Sequence, residues 1–566
     1  MPAVVLSAVR PVSAPRLSLG VLGLCLLLNA TFKVAAQETL ATQIDRLVAL
    51  QTPDYDKLAA PLADDAEFLR RAWLDLTGSV PPSADARAFL ADQSPGKRAQ
   101  LIDRLLATPE YARHMQRQFD LWLMRRLPQK NVPVPEWEKF LRESFATNKP
   151  WDQLVRQILS NDGSDPNNRG PARFYLDRDG DMHVITKDVA KLFLGLNFEC
   201  TQCHDHPQIE EFRQEHYYGI SAFFVRSFVM TDKEKRVVFA EKADGEATFE
   251  SVFEMRDKTS KGPKSTLPRF LEASHISEPK FDKPEEAYVV RPDDKDKTVR
   301  PVPRFSRRDK FAEFLASGEN RRFVRATVNR IWAMLLGRGL VHPLDLDHAG
   351  NPPSHPLLLA HLTEQFAANK LDLKWLIREI MLSQTYQRSS RGASPDVNPP
   401  EATFARAQLR PLSPAQFAWS VMQATGEVDA HRLALGDKAN EQTLVEKLAG
   451  YESRFVQLFG GEPGKPPATF EATADQSLFL ANDPAITQMV RPKAGNTVDR
   501  LLKLPADNIP AIAEELYLST LTRLPSPEDL ADVQALLAGA PAEARAELFY
   551  ELVWATVTSA EFRFNH

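Results

Sequence analysis

Four times in this chain a hydroxyl residue directly precedes a proline: Ser94-Pro95, Thr108-Pro109, Ser413-Pro414 and Ser526-Pro527. Such a pair marks a helix start, because the hydroxyl accepts a bond from a free backbone N–H and proline loses nothing at the first helical position. Apolar residues recur at helical spacing nearby. Phe68, Leu69, Ala72, Trp73 and Leu76 share one face, as do Val324, Val328, Ile331, Trp332 and Leu335. The spacing predicts a mainly α protein.

The texture changes between residues 226 and 300. Arg236 to Ala240 and Ala247 to Phe253 are β-like runs flanking Asp244-Gly245, a strong hairpin signal, and charged, Pro-rich stretches follow at Thr259 to Pro263 and Arg291 to Pro303. The expected order is a helical domain over 40–225, a small β-hairpin insert and linker over 226–300, and a second helical domain over 301–566. The hairpin, short and charged, is expected to protrude or lie at an edge. A further polar linker falls around Ser389 to Pro400.

A weak repeat runs through the helices. Leu101-Ile102 with Leu106, Thr108 and Tyr111 recurs as Leu376-Ile377 with Met381, Ser383 and Tyr386, and as Leu552-Val553 with Val557, Ser559 and Phe562. Internal duplication explains it, and so does a common way of ending an amphipathic helix before a capped turn.

Residues 1–36 read as a secretory signal peptide. Arg10 and Arg16 precede an apolar run from Leu17 to Leu28, and Val34-Ala35-Ala36 supplies a small-x-small exit. The run is shorter than the roughly 20 residues that span a bilayer, and no later segment is long and apolar enough to do so. The expected product is exported, to the periplasm or cell surface. Removing Arg10, Arg16 and Lys33 takes the formal charge of the 566-residue chain from −5 to −8. An acidic surface of this kind excludes nucleic acid as a natural partner.

Of the 3 cysteines in the sequence, Cys25 lies in the leader. The other two form Cys200-Thr201-Gln202-Cys203-His204. Two thiols at this spacing with a histidine behind them match the attachment site of c-type haem, where the thiols add to the vinyl groups and His204 ligates the iron. Zinc is the alternative, with Cys200 and Cys203 joined by His204 or His206, although a full set usually draws ligands from a second, distant spacing. The third reading is a redox disulfide or two structural thiols. His206 is better placed for a propionate or a second metal than for the opposite haem face. His183, His216 and Met230 are the nearby candidates for a distal ligand. The helix ahead, capped by Thr186 and apolar at Val189, Leu192, Phe193 and Leu196, is expected to deliver Cys200 near its end.

A third of the 12 histidines, His342, His348, His355 and His361, fall within twenty residues around Asn351 to Pro356. They suit a metal site or an acid/base centre, with His355 the candidate ligand, or else a rigid Pro-rich turn. As a turn it is expected to cap a helix starting near Leu357 through Ser354 or His355, with Trp332 in the core beside Asn329. Asp177 to Asp181 does not make a calcium loop, because its glycine is misplaced and no bidentate glutamate follows. There is no phosphate loop, nucleophile elbow or HExxH helix.

These residues resemble a planctomycete-type secreted protein that pairs a cytochrome-like domain of unknown function with a C-terminal partner domain, also of unknown function. The resemblance rests on Asp64 to Gly78, Phe193 to Gly195, Cys200 to Pro207 and Tyr217 to Gly219. In the second half it rests on Val328 to Trp332, Gly337 to Leu340, Asn351 to Pro356 and Glu561 to His566. It implies bacterial export and the two-domain order. The cytochrome label derives from the same CxxCH motif, and the chain has no separate cytochrome c domain. The expected function is a haem c redox or electron-transfer protein with an unknown redox partner. The alternatives are a zinc or other metal-dependent protein acting on extracellular polymer, and a non-enzymatic binding module.

Overall fold

A computed structural model describes residues 38–566 apart from 272, 393, 395, 396 and 462–472. The expected leader over residues 1–36 therefore lies outside the described residues. The chain is mainly helical. Before the strands come α1 (Leu40–Gln51), α2 (Asp65–Thr77), α3 (Pro109–Met124), α4 (Met182–Phe193) and α5 (Gln214–Ser221). The short α6 (Val252–Arg256) lies among the strands, and α7 (Arg321–Leu336), α8 (Pro356–Ala368), α9 (Pro414–Ala424) and α10 (Pro527–Leu537) follow them. No helix among the described residues is long and apolar enough to cross a membrane.

Three of the four hydroxyl–proline pairs start helices. Thr108 accepts the Tyr111 N–H at the head of α3, and Ser413 and Ser526 form reciprocal capping boxes with Gln416 and Asp529 on α9 and α10. Ser94-Pro95 is the exception. Its helix begins at Lys97, and the Ser94 carbonyl receives the Gly96 and Lys97 N–H groups in the turn before it. The weak repeat has one local geometry. Thr108, Ser383 and Ser559 each donate to the carbonyl three residues back and accept the N–H three residues on, that of Tyr111, Tyr386 or Phe562.

The β segment departs from the expected hairpin. β1 (Ser227–Thr231) pairs antiparallel with β2 (Val237–Glu241), while β3 (Ala247–Phe249) pairs with β4 (Lys264–Thr266), so Asp244-Gly245 joins strands that are not partners. The turn between β1 and β2 is made at Asp232, whose carboxylate accepts the Arg236 N–H at 2.8 Å. Burial outweighs the local dipeptide preference. Val238, Phe239 and Ala240 are all buried, and Phe239 stacks on Tyr175 with centroids 4.7 Å apart. β2 is thus packed inside rather than protruding, and Val252 and Phe253, expected in a strand, open α6. Two further two-stranded sheets follow among the described residues, β5 (Tyr288–Val290) with β6 (Val302–Pro303) and β7 (Arg410–Pro411) with β8 (Phe564–Asn565).

Apolar side chains collect in two cores. The first runs from Leu40 to Ala405, with Leu518, and so draws on helices from both sides of residues 226–300; the second gathers residues between Leu412 and Phe562 with Leu74 and Val80. α2 enters both. Its predicted face of Phe68, Leu69, Ala72, Trp73 and Leu76 is buried, but so is everything else from Glu67 to Thr77. The reason lies in its polar residues, which form bonds rather than meeting solvent. Arg70 donates to the Thr520 and Phe562 carbonyls, and Arg71 to those of Tyr386, Arg388 and His566. Asp75 accepts from the Tyr386 hydroxyl, the Asn565 amide and Arg410, all at 2.8 to 2.9 Å. Gly78 ends the helix at φ +74, and a Cβ there would come within 2.3 Å of His114 Nδ1.

Breaking one member of a buried charged network strands its partners, at a cost of about 3–5 kcal/mol. Asp75→Ala should therefore lower stability by that order in urea unfolding followed by tryptophan fluorescence. Tyr386→Phe, which removes one neutral donor, should cost about 1 kcal/mol. Equal and small effects from both would contradict the role given to Asp75.

Candidate functional site: the cysteine turn

α4 starts earlier than expected. Asp181, not Thr186, accepts the His183 and Val184 N–H groups at its head, and Thr186 instead donates to the Met182 carbonyl inside the helix. The helix ends at Phe193, and Gly195 at φ +68 turns the chain away. The cysteines therefore lie beyond the helix, Cys200 opening a separate 3-10 turn, Cys200–Gln202, and Cys203 closing it. Cys203 and His204 N–H both point back to the Cys200 carbonyl, at 3.2 and 3.3 Å.

This turn buries its middle and displays its chemistry. Thr201 is fully buried and donates to the Phe198 carbonyl, whereas Cys200 and Cys203 are exposed free thiols. The backbone is held firmly. The Gln202 carbonyl accepts from the Gln214 amide and the Tyr218 hydroxyl, and the Cys203 carbonyl accepts the Val252 N–H that opens α6. Asp205 accepts the Gln214 N–H at 2.7 Å, fixing the start of α5. Tyr218 stacks on Phe249, and Cys203 lies within electrostatic reach of Tyr217 and Tyr218, whose phenols are raised mainly by burial.

The two nearby histidines differ in tautomer. His204 Nδ1 stands 2.7 Å from the Asp205 carbonyl, which only accepts, so Nδ1 carries the proton and Nε2 keeps its lone pair. Its ring is half-buried and lies against Phe253, centroids 4.3 Å apart. His206 is the reverse. Its Nδ1 accepts the Gln208 and Ile209 N–H groups at 3.2 and 3.0 Å, so its lone pair is already used in a turn. Desolvation, then the nearby His348 and His204, hold its pKa below the ordinary value.

Both flanks of the turn rest on the second half of the chain. Leu196 bridges Leu346, and Asn197 donates to Asp345 at 3.2 Å. On the return, the Glu211 carboxylate accepts the Ala349 N–H, and Phe212 meets His348 edge-on at 5.6 Å. About 140 residues separate these partners in sequence, and no spacing rule links them.

The histidine cluster disperses. His348 joins the cysteine turn, and His342 lines a separate cleft. His361 bonds Gln43 of α1. His355 is buried, bonded through Nδ1 to Ser354 and through Nε2 to Thr52 beside α1. Its contacts, Phe404 included, lie outside the cysteine turn. The Asn351 to Pro356 turn does lead into α8, with His355 at its N-cap, but neither the Ser354 nor the His355 side chain accepts a free N–H there. Ser354 donates to the Leu340 carbonyl, and Gln51 reaches across from α1 to take the Leu358 N–H. Trp332 is buried, and Asn329 beside it exchanges two 2.9 Å bonds with Val341. Among the described residues, no three His, Cys, Asp or Glu side chains are grouped to hold one metal ion. Of the distal candidates, His216 is buried against the Glu211 carbonyl, His183 bonds the Tyr217 hydroxyl, and Met230 lies on β1.

Comparison with known proteins finds two domains in tandem. Residues 43–228 match PSCyt2, a protein of unknown function (DUF1549), and residues 307–460 match PSD1, a protein of unknown function (DUF1553). No curated protein and no solved structure matches the chain.

Two outcomes follow from this geometry. In protein made without residues 1–36 in a reducing cytoplasm, Cys200 and Cys203 should both react with a thiol reagent before any denaturant is added. Reaction only after unfolding would contradict their exposure. Burial holds the His355 pKa down, from 6.5 to about 4, so the folded state resists a proton that the unfolded chain accepts. Stability is then unaffected above pH 6.5 and falls as pH drops from there to about 4, by up to about 3 kcal/mol from this group. His355→Gln should flatten that part of the stability–pH curve. An unchanged slope would place the titration elsewhere.

Proposed function

We propose that this tandem of PSCyt2 and PSD1 domains is an exported c-type haem protein serving electron transfer. Cys200 and Cys203 are the attachment residues, and His204 is the proximal ligand. The observation that carries the reading is the state of His204. Its protonated Nδ1 is tied to a backbone carbonyl, which leaves Nε2 with the free lone pair that iron requires, beside two exposed thiols on one anchored turn. Each thiol S–H adds across a vinyl C=C, its hydrogen going to one carbon and its sulfur to the other, so attachment consumes no oxidant. Haem bound there would supply a one-electron couple.

The chain's own residues supply orientation. The Asp205 carbonyl sets the imidazole tautomer and Phe253 holds the ring plane. α6 then lies directly over the turn, with Val252, Phe253 and Met255 exposed at 39, 41 and 46%, an apolar rim for a macrocycle. The zinc reading has less support, because the His206 lone pair is committed to two backbone N–H groups and, among the described residues, Cys200, Cys203 and His204 are not grouped to hold one metal ion.

The test is intact mass of the full chain from a host that matures c-type cytochromes. Wild type should be heavier than its polypeptide by one haem, and the Cys200→Ala/Cys203→Ala variant should carry none. Both cysteines are exposed, so the substitution should leave folding intact. A wild-type mass equal to the bare mature chain would end the proposal.

A further inference from the structure

A cleft of about 470 Å³ opens between α3, the end of α4, α7 and the loop at His342 to Asp345. It is separate from the cysteine turn, since neither cysteine nor His204 lines it. Trp122, Leu192 and Met334 make its walls mostly apolar. Its volume is that of a small-molecule site, about 300–1,000 Å³.

Three cations line it against one carboxylate, and they are not equally engaged. Lys191 pairs with Asp345 at 2.8 Å, and Arg125 stands 3.8 Å from Asp188. Asp345 also receives the Asn197 amide. The Arg330 guanidinium lies over Trp122, 4.7 Å from the ring centroid. None of its N–H donors meets a hydrogen-bond acceptor or a paired carboxylate among the described residues. Its five donors form a planar fork on the half-buried wall of the cleft, without a hydrogen-bonded protein partner among the described residues, and a carboxylate matches that fork in shape and charge. Burial accordingly lowers the Arg330 pKa to about 10, with Asp345 nearby opposing the shift and Arg125 adding to it.

We infer that this cleft binds a small amphipathic carboxylate, its head group on the Arg330 fork and its apolar body along Trp122 and Met334. Charge selects the head, because Lys191 and Arg125 face Asp345 and Asp188 while Arg330 is left without a carboxylate partner among the described residues. The wall selects the body, because a small hydrophilic anion would leave Trp122 and Met334 uncovered.

Calorimetric titration of the full chain with octanoate and with 1-octanol tests this directly. Octanoate should bind at one site per chain, at least tenfold more tightly than octanol. Arg330→Gln should remove that preference while octanol binding stays as it was. Met334→Trp, which fills the cleft and leaves the cation in place, should abolish both. Thermal unfolding of each variant establishes that it is folded. Equal affinity for acid and alcohol, or octanoate binding unaffected by either substitution, would overturn the inference. Absence of haem from the protein would leave these outcomes unchanged.

Discussion

The fold depends on the buried polar residues of α2. A charged side chain inside a protein is costly unless it is paired or hydrogen-bonded, and α2 buries Arg70, Arg71, Glu67 and Asp75 on one thirteen-residue helix. Their partners come from far along the chain. Ser389 and Ser390 bond Glu67, Arg410 and Asn565 bond Asp75, and the carbonyls of Thr520, Phe562 and His566 take the two arginines. The final residues are thereby drawn onto a helix near the start. Because Leu74 faces the second core while Phe68 and Leu76 face the first, the same helix joins the two.

The cysteine turn depends on a comparable long-range arrangement. Its thiols are exposed, yet its backbone is fixed by Gln214, Tyr218 and Val252, and its flanks lie on residues 345–349. The proposed haem attachment would benefit from such rigidity, because both sulfurs and the imidazole would have to keep one relative geometry. The PSCyt2 region carries the motif and the loop following α7, within the PSD1 region, braces it.

Much of the fold was legible because helix signals are local. The caps at Thr108, Ser413 and Ser526 and the apolar face of α7 needed only neighbouring residues. The misplaced features were those decided by distant partners. Asp244-Gly245 is locally a hairpin turn, but Phe239 needed cover from Tyr175, and β2 therefore paired with β1. α2 read as amphipathic because its arginines look like a solvent face until their carbonyl partners are known. The site divides in the same way. Spacing alone singled out Cys200, Cys203 and His204, whereas the separation of His348 from His355 follows from packing that no spacing encodes.

The central claim is that the free lone pair of His204 and the two thiols serve haem. The reduced-minus-oxidised visible spectrum of the full chain produced in a host that matures c-type cytochromes, before and after extraction with acidified acetone, tests it most directly. The account predicts a haem difference spectrum that stays with the polypeptide through extraction. A colourless protein, or colour lost entirely to the solvent, would contradict it.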